Sequence, residues 1–214
     1  MRDLEWLGLT WDESPFFQSE RTALYQEAVE QLAARGLTYP CFCTRAELHA
    51  ASAPHASDGT YLYQGTCRDL SAEEIARKAA VRPPATRLKV PPVSDPSGTI
   101  TWTDLAFGPQ TEVLARECGD FLVRRSDGIF AYQLAVVGVN QVVRGADLLG
   151  SSARQTYLAR LLGYEPPMFG HVPLLVAPDG RRLSKRDHDL DLGSLREAGL
   201  SSSRIIGALA SMAG

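Results

Sequence analysis

A cluster of four cations and one hydroxyl occupies a six-residue segment of the chain. The segment follows Pro178-Asp179-Gly180, a turn signal in which glycine tolerates a positive φ. The cations are Arg181, Arg182, Lys185 and Arg186, and the hydroxyl belongs to Ser184. Closely spaced cations and a hydroxyl can hold the oxygens of a phosphate group. The same composition is typical of a solvated surface loop, so the segment by itself leaves both interpretations open.

Three cysteines have a spacing suited to a metal. Cys41 and Cys43 form a Cys-x-Cys pair, and Cys67 follows at a distance. Tetrahedral Zn²⁺ takes four ligands, so three thiolates leave one position open. The candidates for that position are water, Tyr63, His49 and His55. Ligand chemistry by itself favours a histidine, and the alternative is three reduced thiols without a metal.

A tyrosine and an arginine in the second half of the chain could be ligand contacts or structural residues. Tyr132 lies in the segment from Phe130 to Val136, in which alternation predicts a strand with Phe130, Tyr132 and Leu134 on one face. Arg144 and Asp147 follow in Val-Val-Arg-Gly-Ala-Asp-Leu-Leu. A tyrosine on a strand is usually a core residue. Arg144 and Asp147 could equally form an ion pair on the surface.

Composition limits the classes of function. The 214 residues can form one large domain or two small ones, and 22 Lys plus Arg against 25 Asp plus Glu give a net charge of −3. RNA contact therefore requires local patches rather than an overall positive field. We expect a cytoplasmic protein without a membrane partner, because the sequence has neither a long apolar run nor a signal-peptide pattern. In such a compartment the four cysteines favour a metal or reduced thiols over disulfides, and Cys118 is expected to be a buried thiol.

The first half of the chain is predicted to be mainly helical. Ser19 can cap a helix that runs to about Arg35 and stops at Gly36. The apolar face of this helix is predicted to consist of Leu24, Tyr25, Ala28 and Leu32. Two capping boxes, Thr44-x-x-Glu47 and Ser71-x-x-Glu74, predict the starts of shorter helices. Prolines between Arg82 and Gly98 exclude a regular helix there and favour strands around Thr86–Val90.

The second half is predicted to alternate strands and helices, which indicates an α/β sheet with crossovers. A β-hairpin is predicted from Phe121–Arg125 and Ile129–Val137, joined by the turn Ser126-Asp-Gly128. The other predicted elements are a strand from Gln141, a helix from Ser152 carrying Tyr157, Leu158, Leu161 and Leu162, a strand over His171–Val176 and a final helix over Ser202–Met212.

Three separated motifs resemble those of one family. Arg182-Leu-Ser-Lys-Arg186 resembles the second signature of class I aminoacyl-tRNA synthetases in its glutamyl form, with Arg182 in place of the usual lysine. The Cys-x-Cys pair followed by Tyr63-Gln-Gly-Thr-Cys67 is similar to the glutamyl-queuosine tRNA(Asp) synthetases. Tyr132-Gln-Leu-Ala and the Arg144 segment resemble walls of the amino-acid site in the glutamyl group. The resemblance runs from Asp3 to Leu192, nearly the whole chain.

The resemblance implies an α/β fold, namely a class I synthetase Rossmann-like catalytic domain, N-terminally incomplete, with a small zinc-binding insertion. It implies these boundaries: residues 1–36 as the remainder of the first half of the catalytic domain, 37–98 as the insertion and connection, 99–195 as the second half with the signature loop, and 196–214 as a C-terminal helix. It also favours Tyr63 over a histidine as the fourth ligand, giving Cys41, Cys43, Tyr63 and Cys67 as a structural Zn²⁺ site.

The implied reaction is glutamate activation with ATP, together with Mg²⁺, and transfer to the queuosine of tRNA(Asp). Lys185 would stabilise the charge on the departing pyrophosphate, with Ser184 and Arg182 also at ATP. Tyr132 and Arg144 would bind L-glutamate, the fork of Arg144 matching two carboxylate oxygens. Asp147 is a weaker candidate. We expect a monomer of the short form, because only 28 residues follow Arg186, too few for an anticodon-binding domain.

The sequence departs from the family in two places. It contains no His-Ile-Gly-His-type segment, and several residues that the family carries, including an Asp-Asp pair, have no counterpart between Val137 and Gly138. We therefore expect adenylate formation by these 214 residues to fall below detection. Two alternatives remain open. One is an inactive, zinc-stapled RNA-binding relative, and the other is a fragment of a full glutamyl-tRNA synthetase that charges tRNA(Glu).

Overall fold

The computed structural model describes residues 2–50, 62–63, 65–177, 179–181, 183 and 191–213. They belong to two compact units. The larger unit is Phe17–Val172, and the smaller unit combines Met1–Phe16 with Pro173–Gly214. Within the described ranges, no helix is long and apolar enough to cross a membrane.

The elements alternate between helix and strand along most of the chain. In chain order they are α1 Arg2–Trp6, α2 Thr22–Ala34, β1 Thr38–Cys41, α3 Arg45–Ala50, α4 Ala72–Ala79, β2 Ala85–Leu88, β3 Thr99–Asp104, β4 Gly108–Val113, α5 Leu114–Glu117, β5 Phe121–Arg124, α6 Tyr132–Ala135, β6 Gln141–Gly145, α7 Ser151–Leu161, β7 Met168–Val172, α8 Leu192–Glu197 and α9 Ser202–Ala213. Short 3₁₀ turns cover Gln18–Arg21, Pro96–Gly98 and Ala146–Leu148.

Two sheets form the framework of the larger unit. The first is antiparallel with the order β1-β2-β5, and the second has the order β4-β3-β7-β6. In the second sheet β3 and β4 are antiparallel, whereas β6 and β7 are parallel and are joined through α7. A parallel pair needs such a crossover connection, and a helix commonly supplies it. The predicted α/β architecture with a parallel strand pair is confirmed.

The main core of the larger unit lies between these sheets and the helices α2 and α7. Its fully buried side chains include Leu32, Leu88, Leu114, Val123 and Leu158. Helix α7 is buried over Ser151–Ala159 on all sides, which explains why polar residues there are as inaccessible as apolar ones. A second, small cluster surrounds the cysteines and consists of Tyr39, Cys41, Phe42, Tyr63 and Cys67.

The predicted helix after Ser19 is present, but its start and one face differ from the prediction. A 3₁₀ turn covers Ser19, and α2 begins at Thr22 without a side-chain cap. Its buried residues are Tyr25, Val29 and Leu32, whereas Leu24 is 53% exposed. The helix ends as predicted, with Gly36 at φ 68°.

The predicted hairpin is wrong in its second strand. Residues Tyr132–Ala135 form the short helix α6, and the hairpin is reduced to one bridge between Arg124 and Phe130. Phe130 and Leu134 are buried as predicted, but Tyr132 is 43% exposed. A short apolar run of this kind fits a strand and a single helical turn equally, so alternation over it cannot separate the two structures.

The predicted strand over His171–Val176 is displaced along the chain, because β7 begins at Met168 and shares only His171 and Val172 with the prediction. Strand β7 ends at Val172, and Leu174 and Leu175 are substantially exposed. Pro173 has no N–H and fixes φ, so it cannot continue the ladder. The Asp179–Gly180 turn is confirmed, because Gly180 has φ 81° and the Ala177 N–H donates to the Arg181 carbonyl. Pro178 lies outside the described residues.

The other predicted helices and strands agree with the structure, whereas α1, α5, α8, β1, β3 and β4 were not predicted. Ser71 and Glu74 cap α4 reciprocally, and Thr44 and Glu47 do the same before α3. Strand β2, the start of β6, and the helices α7 and α9 lie where they were predicted. Helix α8 was not predicted; it begins after Asp191, whose carboxylate accepts from the Ser194 N–H.

Candidate functional site

Arg144 lies on β6 next to His171 on β7, because the parallel register pairs these two residues. Its guanidinium is held by three neighbours. Nε donates to His171 Nε2 at 3.0 Å, and Nη2 donates to the Leu148 carbonyl at 3.0 Å and to Ser152 Oγ at 3.1 Å. Three of the five guanidinium N–H groups are therefore used by these partners, and Nη1, which carries the other two, donates one to the Tyr132 hydroxyl and keeps one for a further partner.

Tyr132 is the fourth neighbour of Arg144. Arg144 Nη1 lies 3.4 Å from the Tyr132 hydroxyl, and the guanidinium carbon lies 5.9 Å from the centre of the tyrosine ring. The two predicted glutamate-binding residues are thus adjacent, although they are 12 positions apart in sequence. Because the Nε and Nη2 donors are occupied, a carboxylate meets Nη1 and the phenol O–H rather than the two-pronged edge of the guanidinium.

A buried acid–imidazole pair stands behind Arg144. His171 Nδ1 lies 2.6 Å from Asp104 Oδ2, and both side chains have a relative exposure of 0%. Asp104 Oδ1 accepts from the backbone N–H groups of Ala106, Phe107 and His171. Burial raises the pKa of Asp104, but the hydrogen bonds from His171 and these backbone groups outweigh burial and lower the pKa to about 2. Asp104 is therefore an anion at neutral pH.

The predicted metal ligands converge. The thiols of Cys41, Cys43 and Cys67 lie within 4.8 Å of one another, with 3.6 Å between the sulfurs of Cys43 and Cys67. The Tyr63 hydroxyl is 3.6 Å from Cys41 Sγ and 3.8 Å from Cys43 Sγ. Ligands at about 2.3 Å from a tetrahedral Zn²⁺ lie about 3.8 Å apart, so this donor set has the size that the metal needs.

Backbone and arginine contacts bring positive charge to this cluster. The Phe42 N–H donates to Cys67 Sγ, and the Cys67 N–H donates to the Tyr63 oxygen at 2.7 Å. Arg87 donates through Nε to Cys41 Sγ at 3.2 Å, and its guanidinium carbon is 3.7 Å from the centre of the Tyr63 ring. Such donors stabilise thiolate and phenolate, the forms that bind a metal.

The pKa values of this cluster diverge. Burial raises the pKa of Cys41, but the charge and hydrogen bond of Arg87 outweigh burial and lower it. Burial and the neighbouring Cys41 thiolate raise the pKa of Cys43 to about 12. Burial and hydrogen bonds to the thiols raise the pKa of Tyr63. Of Cys41 and Cys43, Cys41 therefore loses its proton more readily, and a bound cation would favour the ionised forms of the ligands.

The cationic segment is described only in part. Arg181 Nε lies 3.4 Å from Asp179 Oδ2, within the turn. Arg182, Ser184, Lys185 and Arg186 lie outside the described residues, and so does His55. The side chain of His49 is also outside the description. Asp147 lies on the 3₁₀ turn that follows β6, and Cys118 is a buried thiol as predicted.

Four residues of these two sites were missed by the sequence predictions: Asp104, Ser152, His171 and Arg87. Asp104 ends β3 and is 67 positions from His171, a separation at which no periodic pattern links them. His171 was assigned only to a strand. The one available signal was a histidine in a parallel strand, where both faces are usually apolar.

Comparison with known proteins gives one consistent family. Residues 1–212 match the family model of the tRNA synthetases class I (E and Q), catalytic domain. The Glutamyl-Q tRNA(Asp) synthetase of Nitratidesulfovibrio vulgaris is 48% identical over 231 residues, covering 100% of this chain and 69% of the relative. Its namesake from Symbiobacterium thermophilum is 46% identical and covers 99% of this chain and 69% of the relative. That of Geobacter sulfurreducens is 46% identical, covering 92% of this chain and 62% of the relative.

Solved structures agree with the sequence comparison. A glutamate tRNA ligase of Elizabethkingia meningosepticum, crystallised in complex with its amino acid, is 28% identical with a TM-score of 0.67. A glutamate-tRNA synthetase of Elizabethkingia anophelis is 28% identical with a TM-score of 0.68. Each match covers 88% of this chain, which spans 41% and 42% of the two solved chains. This chain belongs to the family of class I tRNA synthetase (E and Q) catalytic domains.

Proposed function

We propose that this protein activates L-glutamate with ATP and transfers it to the queuosine of tRNA(Asp). The observation that carries the proposal is the adjacent pair of Arg144 and Tyr132, which offers a cation and a phenol to an acid in a chain of this family. The names of the relatives from three bacteria support the choice of glutamate and of queuosine-bearing tRNA(Asp). A tRNA acceptor places the reaction in the cytoplasm, and the proposal needs no second copy of the chain.

Glutamate is held through one of its carboxylates by Arg144 and Tyr132. The Nη1 group lies at the exposed side of the guanidinium, 3.4 Å from a tyrosine that is 43% exposed. A carboxylate between them receives a charge-assisted hydrogen bond from Nη1 and a second one from the phenol O–H. Two donors from two residues define the direction of the carboxylate, which a single ammonium would not do.

Catalysis in this proposal relies on position and charge. A glutamate carboxylate oxygen attacks the α-phosphorus of ATP, and the bond to the bridging oxygen breaks, so pyrophosphate leaves and glutamyl adenylate forms. Lys185, with Ser184 and Arg182, stabilises the charge on the phosphates, and Mg²⁺ accompanies ATP as in other nucleotide reactions. A hydroxyl on the cyclopentenediol ring of queuosine then takes the glutamyl group, and AMP is released.

The zinc ion of this proposal is structural. Cys41, Cys43, Cys67 and Tyr63 would fill all four positions of a tetrahedral ion, so no position is left for a substrate. The hydrophobic cluster around these ligands is small, and a bound ion adds the stability that it does not supply by itself. The ion would thereby tie the end of β1 to Tyr63 and Cys67.

The proposal is tested by labelled glutamate transfer to three acceptors. The native protein, with ATP and Mg²⁺, is given tRNA(Asp) with queuosine, the same tRNA without it, and tRNA(Glu). We expect label only on the modified tRNA(Asp). Label on tRNA(Glu) would instead identify a glutamyl-tRNA synthetase, and no label on any acceptor would identify a non-catalytic relative.

A pair of arginine variants ties that activity to the site. Arg144→Gln removes the cation from the carboxylate, and we expect kcat/KM for glutamate to fall roughly 30-fold or more. Arg125→Gln is the matched control, because Arg125 is half exposed and pairs with Asp127 in a surface turn. An equal response of the two variants would remove Arg144 from the glutamate site.

A further inference from the structure

We propose that His171, held by Asp104, is a positioning residue that aims the guanidinium of Arg144 at the substrate carboxylate. This inference rests on the proposed function, because it assigns a task to groups behind the same site. Neither residue contacts the substrate in it. Both act through Arg144.

The pair is built rigidly. His171 and Asp104 are fully buried, with 2.6 Å between His171 Nδ1 and Asp104 Oδ2. The other carboxylate oxygen of Asp104 accepts three backbone N–H groups, two of them from the turn between β3 and β4. The imidazole ring stacks 6.2 Å from Phe169, centre to centre. An imidazole fixed in this way has one orientation.

The hydrogen-bond pattern defines the protonation of His171. The ionised Asp104 carboxylate can only accept a hydrogen bond, so His171 Nδ1 is the donor and carries the imidazole proton. Arg144 Nε is a donor and lies 3.0 Å from Nε2, which must therefore present its lone pair. His171 is thus a neutral acceptor between an anion and a cation, and it transmits the fixed position of Asp104 to Arg144.

The Arg144 guanidinium is therefore held in one orientation. The bond to His171 holds Nε, the bonds to Leu148 and Ser152 hold Nη2, and Nη1 is left toward Tyr132. Without the acceptor at His171, the guanidinium can turn about its last side-chain bonds, and Nη1 no longer stays beside the phenol. Residues that orient a binding group commonly change affinity about tenfold or more when they are lost.

Two amide substitutions separate this role from a merely structural one. In His171→Asn the amide ends where Nδ1 lies, so it can still donate to Asp104 but cannot reach Arg144. In His171→Gln the amide ends where Nε2 lies, so its oxygen can accept from Arg144 while the contact to Asp104 is lost. If His171 only supported the fold, the Gln variant would be the more damaged one. If His171 positions Arg144, the Asn variant should instead lose more glutamate affinity than the Gln variant.

The experiment measures glutamate binding by titration calorimetry and the separate KM values for glutamate and ATP. We expect His171→Asn to weaken glutamate binding and raise its KM about tenfold, with the KM for ATP within about twofold. His171→Gln should restore part of the glutamate affinity, because it keeps an acceptor for Arg144 but loses the hold of Asp104. Equal losses in the two variants, or losses that follow the melting temperature alone, would overturn the inference.

A double variant separates this inference from the proposed function. Because His171 acts through Arg144, His171→Asn should cause no further loss of glutamate affinity in the Arg144→Gln background. An additional tenfold loss there would contradict the inference while leaving the function intact. Unchanged glutamate affinity in Arg144→Gln by itself would refute the glutamate site of the proposed function.

Discussion

At the scale of single residues, the cysteine cluster contains residues that the sequence identifies and one that only the structure identifies. Cys41, Cys43, Cys67 and Tyr63 could be named from spacing and family resemblance, because metal ligands cluster in short motifs. Arg87, which donates to Cys41 and packs on Tyr63, could not be named. It comes from a strand 46 positions away and contributes a contact that only the pairing of β1 with β2 creates.

The proposed metal site leads to a prediction for Cys67. Cys67→Ser removes one thiolate from the ligand set, and we expect the purified variant to lose bound zinc and to melt at a lower temperature. Cys118→Ser is the matched control, because Cys118 is also a buried thiol but lies outside the cluster. Zinc content measured by atomic absorption should fall only in the Cys67 variant. Equal zinc content in both variants would take Cys67 out of the ligand set.

At the scale of elements, helices with capping boxes were predictable, whereas short elements set by tertiary contacts were not. Ser71 and Glu74 encode the start of α4 locally, within four residues. The helix α6 has four residues, and its sequence also satisfies a strand pattern. Leu134 of this helix and the preceding Phe130 are buried in the main core, to which distant elements contribute.

Asp104 links two elements and leads to a prediction of pH dependence. β3 pairs with β7 at Asp104 and Phe169, and the Asp104 carboxylate reinforces this contact through His171. The pKa of Asp104 falls from 3.8 to about 2 on folding, so the ionised carboxylate stabilises the folded state. This contribution is fully present above the unfolded pKa of 3.8 and is lost as the pH falls from there toward 2.

The measurement compares Asp104→Asn with the unchanged protein in urea unfolding at several pH values. At neutral pH we expect the variant to have a free energy of unfolding lower by about 2 kcal/mol, since one pKa unit corresponds to about 1.4 kcal/mol. The difference should shrink as the pH falls below about 4. Asp127→Asn, at an exposed turn, should cause little change. A difference that is the same at all pH values would contradict the ionised form of Asp104.

At the scale of the whole molecule, the family was predictable because separated motifs carry it, and the α/β sheet with a crossover was predictable from the alternation of strands and helices. The structure adds what no motif contains, namely the chain of hydrogen bonds from Asp104 through His171 to Arg144 and the adjacent Tyr132. The roles of Lys185, Ser184 and Arg182 stay predictions. The expectation that these 214 residues form no detectable adenylate also stays a prediction, and the labelled-glutamate assay decides between it and the proposed function.

The most direct test of the central claim is the position of labelled glutamate on the RNA. After reaction with queuosine-containing tRNA(Asp), the product is digested with a guanosine-specific ribonuclease and the labelled fragment is identified by mass spectrometry. We expect the label on the anticodon fragment, at the modified wobble nucleoside. Label on the 3′-terminal adenosine would contradict it.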